Sequence, residues 1–144
     1  MDYELRRLKA DDYDNLLVLW QKCKLPCRPM GRDARDSIIK EMDRAETAFI
    51  GMFDGSRLIG AVLATSDGRK GWINRLAIDP DYQRHGLATV LIRECEDYFD
   101  RLGIKVIACL IEGDNLASFA TFEKADYKYH EDIRYYSKRS SPDD

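Results

Sequence analysis

Residues 79–92, DPDYQRHGLATVLI, pass from a turn into an abruptly apolar run. A helix usually begins with Ser, Thr, Asp or Asn, whose side-chain oxygen accepts a hydrogen bond from a backbone N–H group that lacks a partner within the helix. Here Gly86 stands in that place, directly before Leu87. The free N–H groups and the positive end of the helix dipole therefore predict an anion-binding site.

The residue types around Gly86 restrict which phosphate ligand can bind. Gly86 has no side chain, so a phosphate can reach the backbone, and the small side chain of Ala88 leaves the first turn of the helix accessible. Arg84 can supply a cation at the entrance to this anion site. A Walker loop needs G-K-[ST], but Leu87 and Ala88 follow Gly86. A dinucleotide fingerprint needs glycine at positions 88 and 91, which are Ala88 and Leu91 here. Both of these phosphate loops are excluded.

The segments downstream predict a strand, a crossover helix and a second, parallel strand. Apolar residues at helical spacing indicate an amphipathic helix that ends at Gly103; they are Leu87, Leu91, Cys95, Tyr98 and Leu102. KVIACLI (105–111) lacks alternation, which is typical of a strand buried on both faces. The crossover makes it a parallel neighbour of WINRLAI (72–78).

The remaining segments complete an α/β (α+β) architecture with a mixed, mostly antiparallel sheet and helices on both faces. AFIGMF (48–53) and LIGAVLAT (58–65) form a hairpin, so that three antiparallel strands run from about residue 47 to 79. DYELRRL (2–8) predicts a first strand. DDYDNLLVLWQKC (11–23) predicts a helix capped by Asp11 or Asp12, and DARDSIIKEMDRA (33–45) one capped by Asp33. A short helix at 116–125 precedes a final hairpin of YKYH (127–130) and IRYYSK (133–138), with half of its tyrosines in the core.

Composition favours one soluble domain. The chain has 144 residues, 44% hydrophobic and 34% charged, with a formal net charge of −3. We expect a single domain at 1–138 and a flexible tail at 139–144. The charge argues against nucleic-acid and anionic-membrane partners, and no apolar run has the ~20 residues that span a bilayer. Without a signal-peptide pattern we expect a cytoplasmic protein with reduced cysteines and no metal, since Cys23 and Cys27 lack a second ligand pair.

Two motifs resemble those of one enzyme family. Residues 83–88, QRHGLA, are similar to the [QR]-x-x-G-x-[GA] loop with which the GNAT acetyltransferase superfamily binds acetyl-coenzyme A. GDNLASFATFEKADY (113–127) resembles its second signature, with matches at Asn115, Glu123, Lys124 and Tyr127 and departures at Phe122 and Asp126. The resemblance extends from about residue 5 to 136. LWQKCKL (19–25) is similar to small bacterial members, and the chain resembles ribosomal-protein N-terminal acetyltransferases.

The resemblance implies acetyl-CoA as co-substrate and gives the cofactor-binding residues. The backbone around the 83–89 loop would hold the pyrophosphate, and the backbone at 76–78 the pantetheine, where the two parallel strands splay apart. The Asn115 side chain would bond the pantetheine amide. The implied residues are Leu76, Ala77, Ile78, Gln83, Arg84, His85, Gly86, Leu87, Ala88, Thr89 and Asn115.

The proton-transfer residues depart from the family pattern. Similar N-terminal acetyltransferases carry a glutamate five residues before the asparagine, and Leu110 occupies that position here. Glu112, about 6–7 Å further along the strand, is the substitute base that we predict. Many relatives also place a tyrosine at position 122 to protonate the departing thiolate. Because Phe122 stands there, we assign that role to solvent, Tyr127 or Tyr129.

The predicted function is transfer of acetyl from acetyl-CoA to a primary amine on a protein N-terminus, a lysine or a small molecule, by direct attack. The alternative is a non-catalytic acyl-CoA-binding module, which Leu110 and Phe122 would fit. Asn115 could be a helix cap as well as a ligand, and Glu112 an exposed strand end. Five basic residues near the expected acceptor loop indicate either a solvated face or an acidic acceptor; they are Lys22, Lys24, Arg28, Arg32 and Arg35. The expected partner is an amine acceptor, with the protein a monomer or homodimer.

Overall fold

The structure is a computed structural model, and it describes residues 2–142. The first residue of the predicted domain and the last two residues of the predicted tail lie outside the described residues.

Five strands form one mixed sheet in the spatial order β1-β2-β3-β4-β5. The first four pair antiparallel, and β4 and β5 pair parallel, as the crossover rule predicts. The hairpin predicted around 54–57 is confirmed. The strands are β1 (Glu4–Arg7), β2 (Thr47–Asp54), β3 (Arg57–Ser66), β4 (Lys70–Ile78) and β5 (Val106–Cys109).

Helices cover both faces of this sheet, which confirms the predicted fold class. α1 and α2 close one core, which contains Trp20 and Ile38, and α3 closes the other together with Phe122 of α4. Short 3-10 turns at Ala10–Asp12 and Pro80–Tyr82 precede α1 and the 83–86 loop. The helices are α1 (Tyr13–Lys22), α2 (Arg35–Met42), α3 (Leu87–Arg101) and α4 (Leu116–Lys124).

Close packing against β4 fixes the position of α3. Leu91, Cys95 and Phe99 on its apolar face are fully buried, and each large apolar side chain contributes about 1.5–3 kcal/mol on burial. A Cβ at Gly71 of β4 would lie 2.7 Å from the Phe99 ring, so the missing side chain lets the ring rest on the strand. Gly103 then ends the helix with φ +76°, as predicted.

β4 contains a bulge, and beyond it the strand leaves β5. Ala77 pairs with Ala61 but Asn74 pairs with Leu63, so that two residues of β4 lie opposite one residue of β3. The β4–β5 ladder runs from Lys70 to Ile73 and stops there. The backbone of residues 74–78 therefore has no β5 partner, and this is the splay between parallel strands that the family resemblance implies.

The predicted final hairpin is wrong. Between residues 125 and 142 no strand or helix forms, and turns at 125–126 and 131–132 interrupt an otherwise irregular chain. Tyr129, Tyr135 and Tyr136 are 70–83% exposed, whereas Tyr127 is partly buried. Alternating aromatic residues form a strand only where a neighbouring strand pairs with them. The neighbouring strand β5 has only four residues, and its Val106 is half-exposed. It therefore offers only a short edge along which another strand could pair.

Three smaller predictions are corrected as well. β5 ends at Cys109, so Leu110 and Glu112 follow the strand, and its exposed and partly buried residues show that it is not buried on both faces. The predicted aspartates make no side-chain cap bond. Asp12 is the N-cap residue of α1, as predicted, but its carboxylate accepts the Lys9 N–H, and the N-cap residue of α2 is Ala34. The Asp33 carboxylate instead bonds the nearby Arg28 N–H and the Arg75 guanidinium, which is 42 positions away in sequence.

Candidate active site

The N-terminus of α3 is uncapped and open. Gly86 is its N-cap residue, with φ 75° and ψ 13°, and among residues 2–142 no side chain accepts a hydrogen bond from the first N–H groups. Apart from the adjoining residues and the helix backbone, no atom of the described residues lies within 4 Å of the position that a Cβ would take on Gly86. Arg84 also has a positive φ of 69°, and such alternating conformations turn successive N–H groups toward one concave side, where an anion binds. This geometry agrees with the predicted phosphate loop.

Gln83 ties this loop to the end of β4. Its Nε2 donates to the Ile78 carbonyl at 3.0 Å, and the Cys23 thiol donates to the same oxygen at 3.2 Å. Two donors occupy both lone pairs of that carbonyl. Gln83 therefore positions the phosphate loop through its side chain, whereas the sequence indicated only the loop motif.

A cavity of about 290 Å³ continues from the phosphate loop between α3 and the end of α4. Thr89, a predicted loop residue, lines it at one end, and Arg93 and Lys124 place two cations on its wall. Glu96 and Asp126 also line it. Two cations and two carboxylates therefore line this cavity beside the first turn of α3.

Asn115 and Glu112 lie on one exposed segment between β5 and α4. Asn115 is the N-cap residue of α4, and its Oδ1 accepts the Ser118 N–H at 3.2 Å. The Asn115 N–H donates to the Glu112 carbonyl at 3.0 Å. The helix-cap role is therefore real, and the side-chain amide group of Asn115 has no hydrogen-bond partner among residues 2–142.

The two tyrosines proposed as proton donors have different surroundings. The Tyr127 hydroxyl donates to Glu96 at 2.7 Å, and its ring meets Phe122 edge-on with centroids 5.1 Å apart. Burial, together with the Glu96 carboxylate, raises the pKa of Tyr127. Tyr129 is 77% exposed. The sequence contained no sign of the Tyr127–Glu96 pair, because the partners are 31 positions apart.

A second polar group lies on the opposite face, beside the chain between α1 and α2. Arg75, at the β4 bulge, reaches the buried Asp33 carboxylate at 2.8 Å. Burial raises the pKa of the neighbouring Glu41. No local sequence signal marks Arg75 as a site residue, and Asp33 bonds Arg75 instead of capping α2 as its position predicts.

Residues 2–142 contain neither a cluster of metal-ligating side chains nor a helix that could cross a membrane. No three His, Cys, Asp or Glu side chains in that range gather as metal ligands would. Across the same range, every helix is too short or too polar to cross a bilayer. All four cysteines are free thiols.

Comparisons with known proteins identify the family. The model of the acetyltransferase (GNAT) family matches residues 10–127. The chain belongs to the GNAT acetyltransferase family. It is 27% identical over 136 residues to an acetyltransferase of Sodalis glossinidius, with 94% of each chain covered.

Solved structures show the same GNAT fold at low sequence identity. The aminoglycoside acetyltransferase AAC(6')-Iy, bound to a bisubstrate analogue containing CoA, superposes with a TM-score of 0.80 at 16% identity, covering 96% of this chain and 99% of that one. A ribosomal-protein alanine N-acetyltransferase of Escherichia coli gives 0.72 at 16% identity, covering 86% and 76%.

Family membership decides between the two functions that the sequence left open. The protein is an acetyl-CoA-dependent N-acetyltransferase, which displaces the hypothesis of a non-catalytic acyl-CoA-binding module. The uncapped α3 N-terminus and the splayed β4 are the parts of this chain that fit acetyl-CoA.

Proposed function

We propose that this GNAT enzyme acetylates a primary amine by direct attack within a ternary complex of enzyme, acetyl-CoA and acceptor. The amine nitrogen forms a bond to the thioester carbonyl carbon, the carbon–sulfur bond breaks, the amine loses a proton, and CoA leaves as a thiolate. One observation carries the proposal: β4 loses its β5 partner after Ile73 and leads directly to the uncapped N-terminus of α3. A pantetheine chain and its pyrophosphate need these two features side by side.

In this proposal the backbone performs most of the cofactor binding. The N–H groups around Gly86, Ala88 and Thr89 hold the pyrophosphate, and the exposed Arg84 supplies a cation at the mouth, with His85 beside it. The free backbone at Leu76 and Ala77 pairs with the pantetheine as an added strand, and one N–H there polarises the thioester carbonyl. Asn115 offers its unpartnered amide group to the pantetheine while its oxygen caps α4.

Proton removal from the amine is assigned to Glu112. An amine with a pKa near 10.4 is only about 0.1% neutral at pH 7, so deprotonation costs roughly 4–5 kcal/mol. Glu112 is exposed on the segment that ends at Asn115, so it can take the proton directly or through one water. The thiolate, with a pKa near 8.5, is a moderately stable anion. Solvent or the exposed Tyr129 protonates it, since the proton of Tyr127 is held by Glu96.

The acceptor is a protein N-terminus, a lysine or a small-molecule amine. The motif resemblance to ribosomal-protein N-terminal acetyltransferases, together with the Escherichia coli structure of similar fold, supports a protein N-terminus. The aminoglycoside acetyltransferase supports a small-molecule amine in the same way. Loops that contact the acceptor vary freely on one fold, so each acceptor class is tested directly.

The experiment is an assay of free-thiol release from acetyl-CoA with four amine probes. They are an alanyl peptide amide, Nα-acetyl-lysine amide, spermidine and kanamycin. We expect amine-dependent thiol release and an N-acetylated product for at least one probe. Tight binding of acetyl-CoA without thiol release for any of them would contradict the proposed amine transfer.

A further inference from the structure

Arg75 has a backbone conformation that arginine seldom adopts. Its φ is +52°, at the bulge in β4 where Ala77 pairs with Ala61 and Asn74 with Leu63. Bulges that require a left-handed residue usually contain glycine. A long side chain persists in such a conformation only where its surroundings hold it there, and such strain concentrates at functional sites.

Two contacts hold the Arg75 guanidinium. Nη2 donates to the Asp33 carboxylate at 2.8 Å, and the guanidinium carbon lies 4.4 Å from the centre of the Trp20 ring. Nη1 is buried, and nothing among residues 2–142 accepts a hydrogen bond from it. Asp33 is therefore the anion that bonds this partly buried cation, whose side chain is 17% exposed.

Asp33 in turn organises the chain between α1 and α2, residues 23–34, here called the α1–α2 loop. Its carboxylate accepts the Arg28 N–H at 2.6 Å, and its backbone carbonyl accepts the Tyr13 hydroxyl at 2.6 Å. Its own N–H donates to the Arg28 carbonyl at 2.9 Å. Asp33 is only 3% exposed, and these hydrogen bonds hold the loop around it.

The ion pair therefore joins two parts of the proposed active site. One end is the α1–α2 loop, which also contacts the end of β4 through Cys23. The other end is the strand position directly before Leu76 and Ala77, whose backbone faces the proposed pantetheine site. A shift of this loop relative to the strand changes the space available beside the thioester.

We propose that Asp33 and Arg75 are positioning residues for the acceptor: their ion pair fixes the α1–α2 loop against the β4 bulge and so sets where the acceptor amine meets the thioester. This inference rests on the proposed amine transfer. The pair contacts neither the phosphate loop nor the α3 N-terminus, so its loss should affect acceptor binding more than the binding of the CoA pyrophosphate.

The kinetic test compares Asp33→Asn and Arg75→Gln with the wild type, using any of the four amine probes that supports thiol release. We expect the KM for the amine to rise at least tenfold and the KM for acetyl-CoA to change less than twofold. Arg75→Lys keeps a cation beside Asp33 and should recover part of the loss. Equal changes in both KM values, or none in the amine KM, would overturn the proposal.

Asp12→Asn is the matched control for a purely structural effect. Asp12 is also buried, and its carboxylate bonds Arg6 at 2.8 and 3.0 Å and the Lys9 N–H at 2.7 Å, at the N-terminal end of α1, whereas the loop follows the C-terminal end of that helix. It should lower thermal stability to a similar degree without changing the amine KM. A rise in amine KM for Asp12→Asn equal to that for Asp33→Asn would assign the effect to general destabilisation.

A second readout needs no acceptor. Lys24 and Arg32 are exposed trypsin sites within the α1–α2 loop, whereas Arg28 precedes Pro29 and is not cleaved. Cleavage after Lys24 is the one measured, because Asp33→Asn changes the residue directly after Arg32. Asp33→Asn and Arg75→Gln should speed cleavage there at least tenfold, because the freed loop opens locally, whereas Asp12→Asn should not. Unchanged cleavage would refute the ion pair as the loop's anchor. A wild type that acetylates none of the probes would refute the amine transfer and the acceptor role with it, and cleavage would still decide what anchors the loop.

Discussion

Gly86 combines a left-handed backbone with an open side-chain position at the start of α3. Gly86→Glu places a carboxylate where the pyrophosphate of CoA is expected, so the two anions repel and the N–H groups are covered. We expect the affinity for CoA to fall at least 100-fold by isothermal titration calorimetry. The fold should be retained, since a left-handed non-glycine residue costs about 1–2 kcal/mol.

Gly55→Glu is the matched control for this change. Gly55 lies in the β2–β3 hairpin turn with φ +60° and is equally open, so the strain and the charge are the same without a helix N-terminus. It should bind CoA like the wild type. Unchanged CoA affinity in Gly86→Glu would remove the phosphate loop from the site.

Asp126 occupies a position where the family motif has glycine, and its φ of +71° explains that preference. Aspartate tolerates the left-handed conformation better than most residues, although glycine adopts it without cost. Asp126→Gly should raise the free energy of unfolding by about 0.5–1 kcal/mol in urea titrations without CoA. Asp132→Gly, at an exposed turn position with ordinary φ, should lower it; equal effects of the two changes would contradict this explanation.

The segment between β5 and α4 brings Glu112 to the proposed site. If Glu112 removes the amine proton, Glu112→Gln should lower turnover about 100-fold and change the pH–rate profile, because general base catalysis contributes about 10²–10⁴-fold. Steady-state kinetics across pH 6–9 measure this. Asp114→Asn changes another exposed acid on the same segment and should leave turnover within twofold. Unaltered turnover in Glu112→Gln would assign proton removal to water.

Helix α4 places Phe122 where many relatives carry a tyrosine. The ring is buried against Tyr127. Phe122→Tyr adds a hydroxyl that can protonate the thiolate, so turnover in the thiol-release assay should stay constant or rise up to about tenfold. Phe119→Tyr, on the same helix, is the control and should change nothing. Loss of activity by Phe122→Tyr with an intact circular dichroism spectrum would instead mean that Phe122 shapes the acceptor pocket.

Elements with strong local signals were predictable, and those that depend on distant partners were not. The β2–β3 hairpin and the 15-residue helix α3 follow from turn residues and periodicity within one short window. The hairpin predicted at 127–138 is absent because alternating residues specify only one strand of a pair, and the described residues provide no second strand beside it. Asp33 does not cap α2 as predicted, because its carboxylate bonds Arg75, which lies 42 positions away in the sequence.

At the scale of the whole molecule, the backbone features of the candidate site could be predicted from the sequence, whereas the contacts of its side chains could not. Gly86 and the parallel strand pair follow from a local motif and a handedness rule, and both are present. The surroundings of Tyr127 and Arg75 depend on how α3, α4 and the α1–α2 loop pack on the sheet. Sequence spacing does not specify those contacts.

Asp79 connects three parts of the molecule through one buried carboxylate. It bonds Lys22 of α1 at 3.3 Å, Arg57 of β3 at 3.0 Å and the Asp81 N–H at 3.0 Å. Burial alone would raise the pKa of Asp79, but the Asp81 N–H and the two cations outweigh it and hold that pKa below its ordinary value. A carboxylate of this kind stabilises the fold above about pH 3.9, and the stabilisation is lost as the pH falls through its lowered pKa.

Asp79→Asn should therefore remove part of the acid sensitivity of the whole molecule. At pH 7 we expect the free energy of unfolding to fall by about 1.5–3 kcal/mol, since the buried amide loses the charge-assisted hydrogen bonds of the carboxylate, while the Lys22 and Arg57 side chains are each 46% exposed and remain hydrated. Between pH 4 and pH 2 the variant should lose less stability than the wild type, as measured by urea titration at each pH. Asp81→Asn is the control: its carboxylate also contacts Arg57, at 3.2 Å, but is 75% exposed, so it should change stability by less than about 1 kcal/mol. If Asp79→Asn and the wild type lose equal stability in acid, the acid sensitivity comes from other carboxylates and Asp79 does not bind these elements together.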